Sequence, residues 1–257
     1  MPEAASEART SLDAILGGGL RLRQFVRGHR IGADAVLLAA AAGAPARHLV
    51  DVGTGVGAVG LALLQRWPDA RGDLIEIDDG LAALARGNAA LNGLDGRARI
   101  LCVDALSARL RREAGLADGE ADLVVTNPPF FDAATVRASP DPRRARAHVA
   151  ASEGGLEAWI SAALALLAPG GRFVMIHRAD ALAAILAAFG KRVGAVAVRP
   201  VHPSADAPAI RALIAAVKGS KAPLRILPGL ALNEASGAFT PFAEAVHRGA
   251  ATIDWPS

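Results

Sequence analysis

From Arg47 onward, short apolar runs rich in β-branched residues alternate with longer stretches of helical period. Residues 48–52, 72–77, 98–103, 122–126, 172–177, 193–198 and 209–217 predict strands. Residues 58–66, 80–91, 106–114, 156–167 and 181–189 predict helices, as does the alanine-rich run 33–42. Strands separated by helices imply right-handed crossovers and parallel pairing. The stretch 198–209 is broken by Pro200, Pro203 and Pro208. No helix fits there, so the last two strands should pair antiparallel. The expected fold is α/β, with a mostly parallel seven-stranded sheet, an antiparallel last strand and helices on both faces.

Ahead of the first strand, Gly17, Gly18, Gly19 and Gly28 punctuate a segment holding Arg21, Arg23, Arg27 and Arg30. Residues 1–44 therefore read as a basic extension packing on a main domain of residues 45–257. Neither a repeat nor a low-complexity linker divides the chain.

Composition narrows the classes. Of the 257 residues, 52% are hydrophobic and 21% charged, which suits a folded globule and excludes a disordered or collagen-like chain. A single cysteine, Cys102, can neither close an intramolecular disulfide nor supply a cysteine zinc site or an iron–sulfur cluster. It reads as a buried structural thiol, and the reducing cytoplasm is the expected location. The apolar runs fall short of the roughly 20 residues that span a bilayer, and the segment 1–11 lacks the apolar centre of a signal peptide. A net charge of +3 permits an anionic partner without requiring one.

The first strand of the main domain runs into Asp51-Val52-Gly53-Thr54-Gly55-Val56-Gly57 and then a helix. Glycines in that place let a ligand approach backbone amides at a helix N-terminus. Residues 55–60 match GxGxxG, so a nicotinamide-binding module has to be considered. The glycines begin earlier, however, and Asp51 places a carboxylate where a dinucleotide would put its pyrophosphate. Facing anions cost energy in a partly desolvated cleft. S-adenosylmethionine brings a sulfonium and an ammonium there instead. Glu76, about twenty residues on, is placed for the ribose hydroxyls of either cofactor. Asp104, after the third strand, could take the adenine amino group or simply close a turn. Thr54, Ile77, Ala105 and Asn127 complete the candidate cofactor contacts, while Asp78 and Asp79 read as helix caps.

The fourth strand ends in Asn127-Pro128-Pro129-Phe130-Phe131. Two prolines stiffen the loop. An amine conjugated to a purine ring is a poor nucleophile because its lone pair is delocalised. The Asn127 side-chain oxygen and the Pro128 carbonyl can each accept one N–H and aim that lone pair at a methyl group, without a metal. Phe130 would stack on the base, with Phe131 beside it. The read-out for chemistry is thus Asn127, Pro128, Pro129 and Phe130.

On these residues the chain resembles the class I, S-adenosylmethionine-dependent N6-adenine methyltransferases. More narrowly, it is similar to the bacterial family that modifies the adenine beside the anticodon of a valine tRNA. The resemblance is carried by the segment 29–38, the Asp-x-Gly-x-Gly-x-Gly loop, Ile75-Glu76-Ile77-Asp78, Asn88 with Asn92, N-P-P-F, the stretch 143–153, and the tail at 211–219 and 224–228. It implies a Rossmann-like class I methyltransferase fold and a tRNA substrate, with neither a metal nor a membrane. The chain departs from the family at Phe130, where tyrosine is frequent, and matches only loosely at 143–153. N-P-P-F/Y is shared with N2-guanine and glutamine N5 methyltransferases, so ribosomal RNA and a protein glutamine stay open as substrates. The glutamine enzymes usually carry a larger N-terminal helical domain than the roughly fifty residues that precede the first strand here.

Arg30, Arg137, Arg143, Arg144, Arg146 and His148 could meet phosphates flanking a flipped adenine, or belong to a solvated loop. Trp67, Trp159 and His177 show nothing convergent in sequence and read as packing or surface residues.

Overall fold

A computed structural model describes residues 9–27, 30–129 and 155–255. The chain opens with an antiparallel hairpin of β1 (Thr10–Ile15) and β2 (Leu20–Phe25), followed by α1 (Ala33–Ala40). The alternating unit comes next: β3 (His48–Val52), α2 (Ala58–Arg66), β4 (Arg71–Glu76), α3 (Asp79–Leu91), β5 (Ala98–Cys102), α4 (Ala108–Glu113) and β6 (Ala121–Thr126). After it come α5 (Gly155–Leu166), β7 (Leu167–Arg178), α6 (Leu182–Phe189), β8 (Val193–Ser204) and β9 (Arg211–Lys218). The described chain closes with β10 (Arg225–Ile226), β11 (Leu230–Asn233) and α7 (Pro241–His247).

The main sheet runs β5-β4-β3-β6-β7-β9-β8-β10, with β11 also on β8. From β5 to β7 all pairs are parallel, and β9 lies antiparallel to both β7 and β8. The seven predicted strands and the reversed last one are present. Two short strands on β8 extend the sheet to nine. Sequence gives little sign of them because each is brief, with Pro223 and Pro228 flanking β10 and Pro228 just ahead of β11. β8 likewise continues through Pro200 to Ser204. A proline removes a donor but leaves a carbonyl, and that of Pro203 accepts from Asn233 Nδ2 at 2.9 Å.

Alternation along the strands buries both faces. Leu49, Leu123, Val125, Val174 and Ile176 face α1, α2 and α7, whereas Val50, Val52, Val124, Phe173 and Met175 face α5 and α6. Val36 to Leu38 on α1 and Leu20 and Leu22 on β2 belong to the first cluster, so the N-terminal hairpin shares the core of the main sheet. The hairpin was not expected from sequence. Its strands are short and Gly17, at φ 64°, turns the chain between them.

Candidate functional site

The chain steps outward from β3 to β4 and β5, then returns to lay β6 on the other side of β3. Strand order reverses at that point. Adjacent loops leave the sheet there in opposite directions and open a crevice at the carboxyl ends of β3 and β6. Val52 and Thr126 are register partners, so the loops that start at Gly53 and Asn127 leave the sheet side by side.

The loop after β3 is shaped by its own backbone and one carboxylate. Gly53 N and Thr54 N both donate to Ile75 O at 2.9 Å, and Gly57 N donates to Thr54 O at 2.9 Å. Gly53 and Gly57 hold φ of 74° and 93°, a region that disfavours other residues. Asp51 Oδ2 accepts from Thr54 Oγ1 at 2.6 Å and from Gly60 N at 2.9 Å, tying the strand to the loop and to the first turn of α2. Gly60 also lets α2 approach β4, since a Cβ there would stand 2.7 Å from Leu74. Burial pushes the Asp51 carboxyl up to about 6, although the bonds from Thr54 and Gly60 pull it down, and nearby Glu76 adds to the rise.

Glu76 ends β4 and reaches back over the same loop. Its Oε2 accepts from Gly55 N at 2.9 Å, and its Oε1 accepts from Ile77 N at 2.8 Å and Asp78 N at 2.9 Å. Burial raises its pKa, against the pull of these three amides. Asp78 caps α3 by accepting from Leu81 N at 2.8 Å, as expected, and Asp79 is an exposed first-turn residue. Asp104, beyond β5, accepts from Leu106 N at 2.9 Å and so closes a turn, with buried Ala105 following. Asp51, Gly53 to Gly57, Glu76, Ile77, Asp104, Ala105, Asn127, Pro128 and Pro129 thus line one edge of the sheet at the ends of four neighbouring strands. Pro128 is buried, while Asn127 and Pro129 are half-buried. Phe130, Phe131, Arg143, Arg144 and His148 lie outside the described residues. Arg30 is exposed and pairs with Asp13 at 3.0 Å.

Two readings from sequence change, and one buried contact is added to them. Cys102 is exposed rather than buried, because β5 is the sheet's edge strand, and its Sγ approaches Ile77 O at 3.9 Å. Trp159, on α5, is part of the crevice. Its Nε1 donates to Thr126 Oγ1 at 2.9 Å, and Thr126 Oγ1 donates to Val52 O at 2.8 Å. Its ring also lies against Gly53, where a Cβ would stand 2.8 Å from Cζ2. One indole therefore spaces the glycine loop from the Asn127 loop. Asn88, fully buried on α3, donates to Val56 O at 2.9 Å and Arg23 O at 3.0 Å and accepts from Arg23 N at 2.7 Å. An asparagine inside an alanine-rich helix, repeated four residues on as Asn92, was the available sign, since asparagine is a poor helix former. Nothing in sequence marked Trp159. Trp67 packs in the core beneath Arg66, whose guanidinium sits 4.9 Å from its ring, and His177 is buried on β7.

Among the described residues no group of three or more His, Cys, Asp or Glu could hold a metal ion. No described helix is long and apolar enough to cross a membrane.

A doubly covered, mostly parallel sheet with a glycine loop and two carboxylates at its switch point is a Rossmann-like ligand-binding protein. The chain belongs to the methyltransferase small domain family, whose model matches residues 31–197. It is 40% identical over 158 residues to a Porphyromonas gingivalis protein named tRNA1(Val) (adenine(37)-N6)-methyltransferase, covering 60% of each chain. An Aeromonas hydrophila protein of the same name is 34% identical over 170 residues, covering 62% of this chain and 65% of its own. The match thus spans about 60% of the length of these curated relatives. Among solved structures, Agrobacterium tumefaciens Atu636, described as a predicted O-methyltransferase, superposes with a TM-score of 0.71 at 32% identity, over 86% of this chain and 98% of its own. Pyrococcus horikoshii TYW2, solved with MeSAdo, has a TM-score of 0.55 at 13% identity, over 84% and 74% of the two chains, a likeness of fold.

Proposed function

We propose that this protein transfers a methyl group from S-adenosylmethionine to the exocyclic N6 amine of an adenine in tRNA, working in the cytoplasm. The observation that carries the reading is the register pair Val52–Thr126, which sets the Asp51–Gly57 loop beside Asn127-Pro128-Pro129. Likeness to the tRNA adenine methyltransferases of P. gingivalis and A. hydrophila supports the substrate.

The crevice suits a cationic cofactor. Asp51 and Glu76 are both buried, and each has its pKa raised, Asp51 in part by Glu76. Two confined carboxylates favour a sulfonium and an ammonium and disfavour a pyrophosphate. When bound, S-adenosylmethionine supplies an electrophilic methyl group on positively charged sulfur. Asp51, Gly53, Thr54, Gly55, Gly57, Glu76, Ile77, Asp104 and Ala105 are the residues that would hold it. Glu76 Oε1 already accepts two amides and Oε2 one. A carboxylate has about four acceptor positions, so gripping both ribose hydroxyls requires the Gly55 or a neighbouring amide bond to open.

Asn127 and Pro128 would each accept one N–H of the target amine, fixing the lone pair for in-line attack, and Phe130 would stack on the base. Two acceptors match the two hydrogens of an NH2 group. A hydroxyl has only one, which argues against the O-methyl chemistry named for the A. tumefaciens protein. In domain terms, residues 1–44 are an extension of one methyltransferase domain, 45–257. The test is nucleoside mass analysis of unmodified tRNA incubated with the protein and methyl-labelled cofactor. Label in N6-methyladenosine is expected. No label in tRNA, when ribosomal RNA or a glutamine-bearing protein offered in parallel is labelled, or label in tRNA only on oxygen, would refute the proposed substrate.

A further inference from the structure

Five arginines against one aspartate give residues 9–30 a formal charge of +4, more than the +3 of the whole chain. Arg9, Arg21, Arg23, Arg27 and Arg30 are all exposed, and the single acid, Asp13, is shared among Ser11, Gln24 and Arg30. Two of these arginines, Arg21 and Arg23, sit on β2 itself. Leu20 and Leu22 are fully buried, so strand alternation turns Arg21 and Arg23 to solvent. The free edge of β2 is bonded to α3. Asn92 accepts from Arg21 N at 3.0 Å and donates to Arg21 O at 2.7 Å, and Asn88 makes the matching pair with Arg23. Two residues of strand and four of helix both advance by about 6–7 Å, so the amides meet the backbone in step.

The hairpin also adjoins the proposed methyl-transfer site. Asn88 links Arg23 O to Val56 O in the glycine loop. Phe25 packs against Gly80 at the start of α3, where a Cβ would stand 3.4 Å from its ring. Asp34, in the first turn of α1, pairs at 2.9 Å with Arg211, the register partner of Arg178 at the end of β7. Phe25 therefore stands at the α3 end of the carboxyl edge and Asp34 at its β7–β9 end.

We infer that the outward face of this hairpin, centred on Arg21 and Arg23, is the surface on which the RNA substrate's phosphate backbone docks. This rests on the proposed function and names where the polyanion lies. A rigid pair of exposed arginines beside the crevice suits phosphates, which are contacted for position rather than sequence. The test measures binding of labelled, unmodified tRNA across a salt series for wild type, Arg21→Glu/Arg23→Glu, and a charge-matched control, Arg71→Glu/Arg112→Glu. The control residues are exposed on β4 and α4 rather than on the hairpin. Methyl transfer and S-adenosylhomocysteine binding are followed in parallel.

The hairpin variant should bind tRNA at least about tenfold more weakly and show a salt slope shallower by about 1–2. Its cofactor affinity and its transfer rate at saturating tRNA should stay near wild type. Equal losses in the control, or an unchanged salt slope, would overturn the inference and leave the methyltransferase reading intact. A wild type that transfers no methyl group to any RNA would instead overturn that reading. Binding to phosphatidylserine vesicles that tRNA does not displace would assign the face to a membrane and also overturn the inference.

Discussion

Asp51 gives the glycine loop a pH signature that can be isolated by one substitution. Asp51 is 2% exposed, and its carboxyl is pushed from 3.8 up to about 6. Since the folded pKa lies above the unfolded one, the protonated form is favoured in the fold. The stability it contributes is complete below the unfolded pKa and is lost as pH rises through about 6. A rise of about two units is worth about 3 kcal/mol, of which about 1.4 kcal/mol is lost between pH 5 and 7.5. Asp51→Asn removes the titration while keeping an oxygen that can accept from Thr54 or Gly60. Urea unfolding of both proteins at half-unit steps across that range gives the difference in stability, in which the other titrating groups cancel. The variant should gain on wild type by about 1–2 kcal/mol as pH rises. A difference that is flat with pH, or that moves the other way, would show that Asp51 is ionised in the fold at little cost.

Asn127→Ala should cut methyl transfer by on the order of 10²-fold with cofactor affinity little changed, the loss expected on removing a positioned polar group; wild-type single-turnover rates would make the loop structural. Glu76→Ala should weaken S-adenosylhomocysteine binding by about 1.5–3 kcal/mol in calorimetry, and an unchanged dissociation constant would remove Glu76 from the ribose site. Trp159→Phe and Thr126→Val should each slow transfer, and the double variant should be no slower than the worse single one, because both break the same N–H to oxygen bond. Additive losses would show that the indole does not act through Thr126. Asn88→Ala should cost about 1–3 kcal/mol of stability by stranding the buried Val56 O and removing the part-buried bonds to Arg23 N and O, read as a fall in the thermal midpoint; a change under about 0.5 kcal/mol would mean that water replaces the amide.

The alternation of strands and helices from residue 47 onward was readable in sequence because each element shows its burial locally, in period-two or helical spacing. The Asp-x-Gly-x-Gly-x-Gly loop and N-P-P-F were readable for a related reason. Positive φ and fixed loops demand particular residue types at fixed offsets, as at Gly53 and Gly57. What sequence withheld depends on distant partners. The exposure of Cys102 follows from β5 lying at the edge of the sheet, which is a property of strand order and not of its own neighbours. The hairpin at 10–25 is held by Asn88 and Asn92, some 65–71 residues away in the chain. The place of Trp159 in the crevice needs Gly53 and Thr126 on two strands brought into register. Local pattern fixes elements because their hydrogen bonds and faces are short-range. A site at a switch point exists only once non-adjacent strands pair, so its residues were named by motif while their contacts were decided by the tertiary fold.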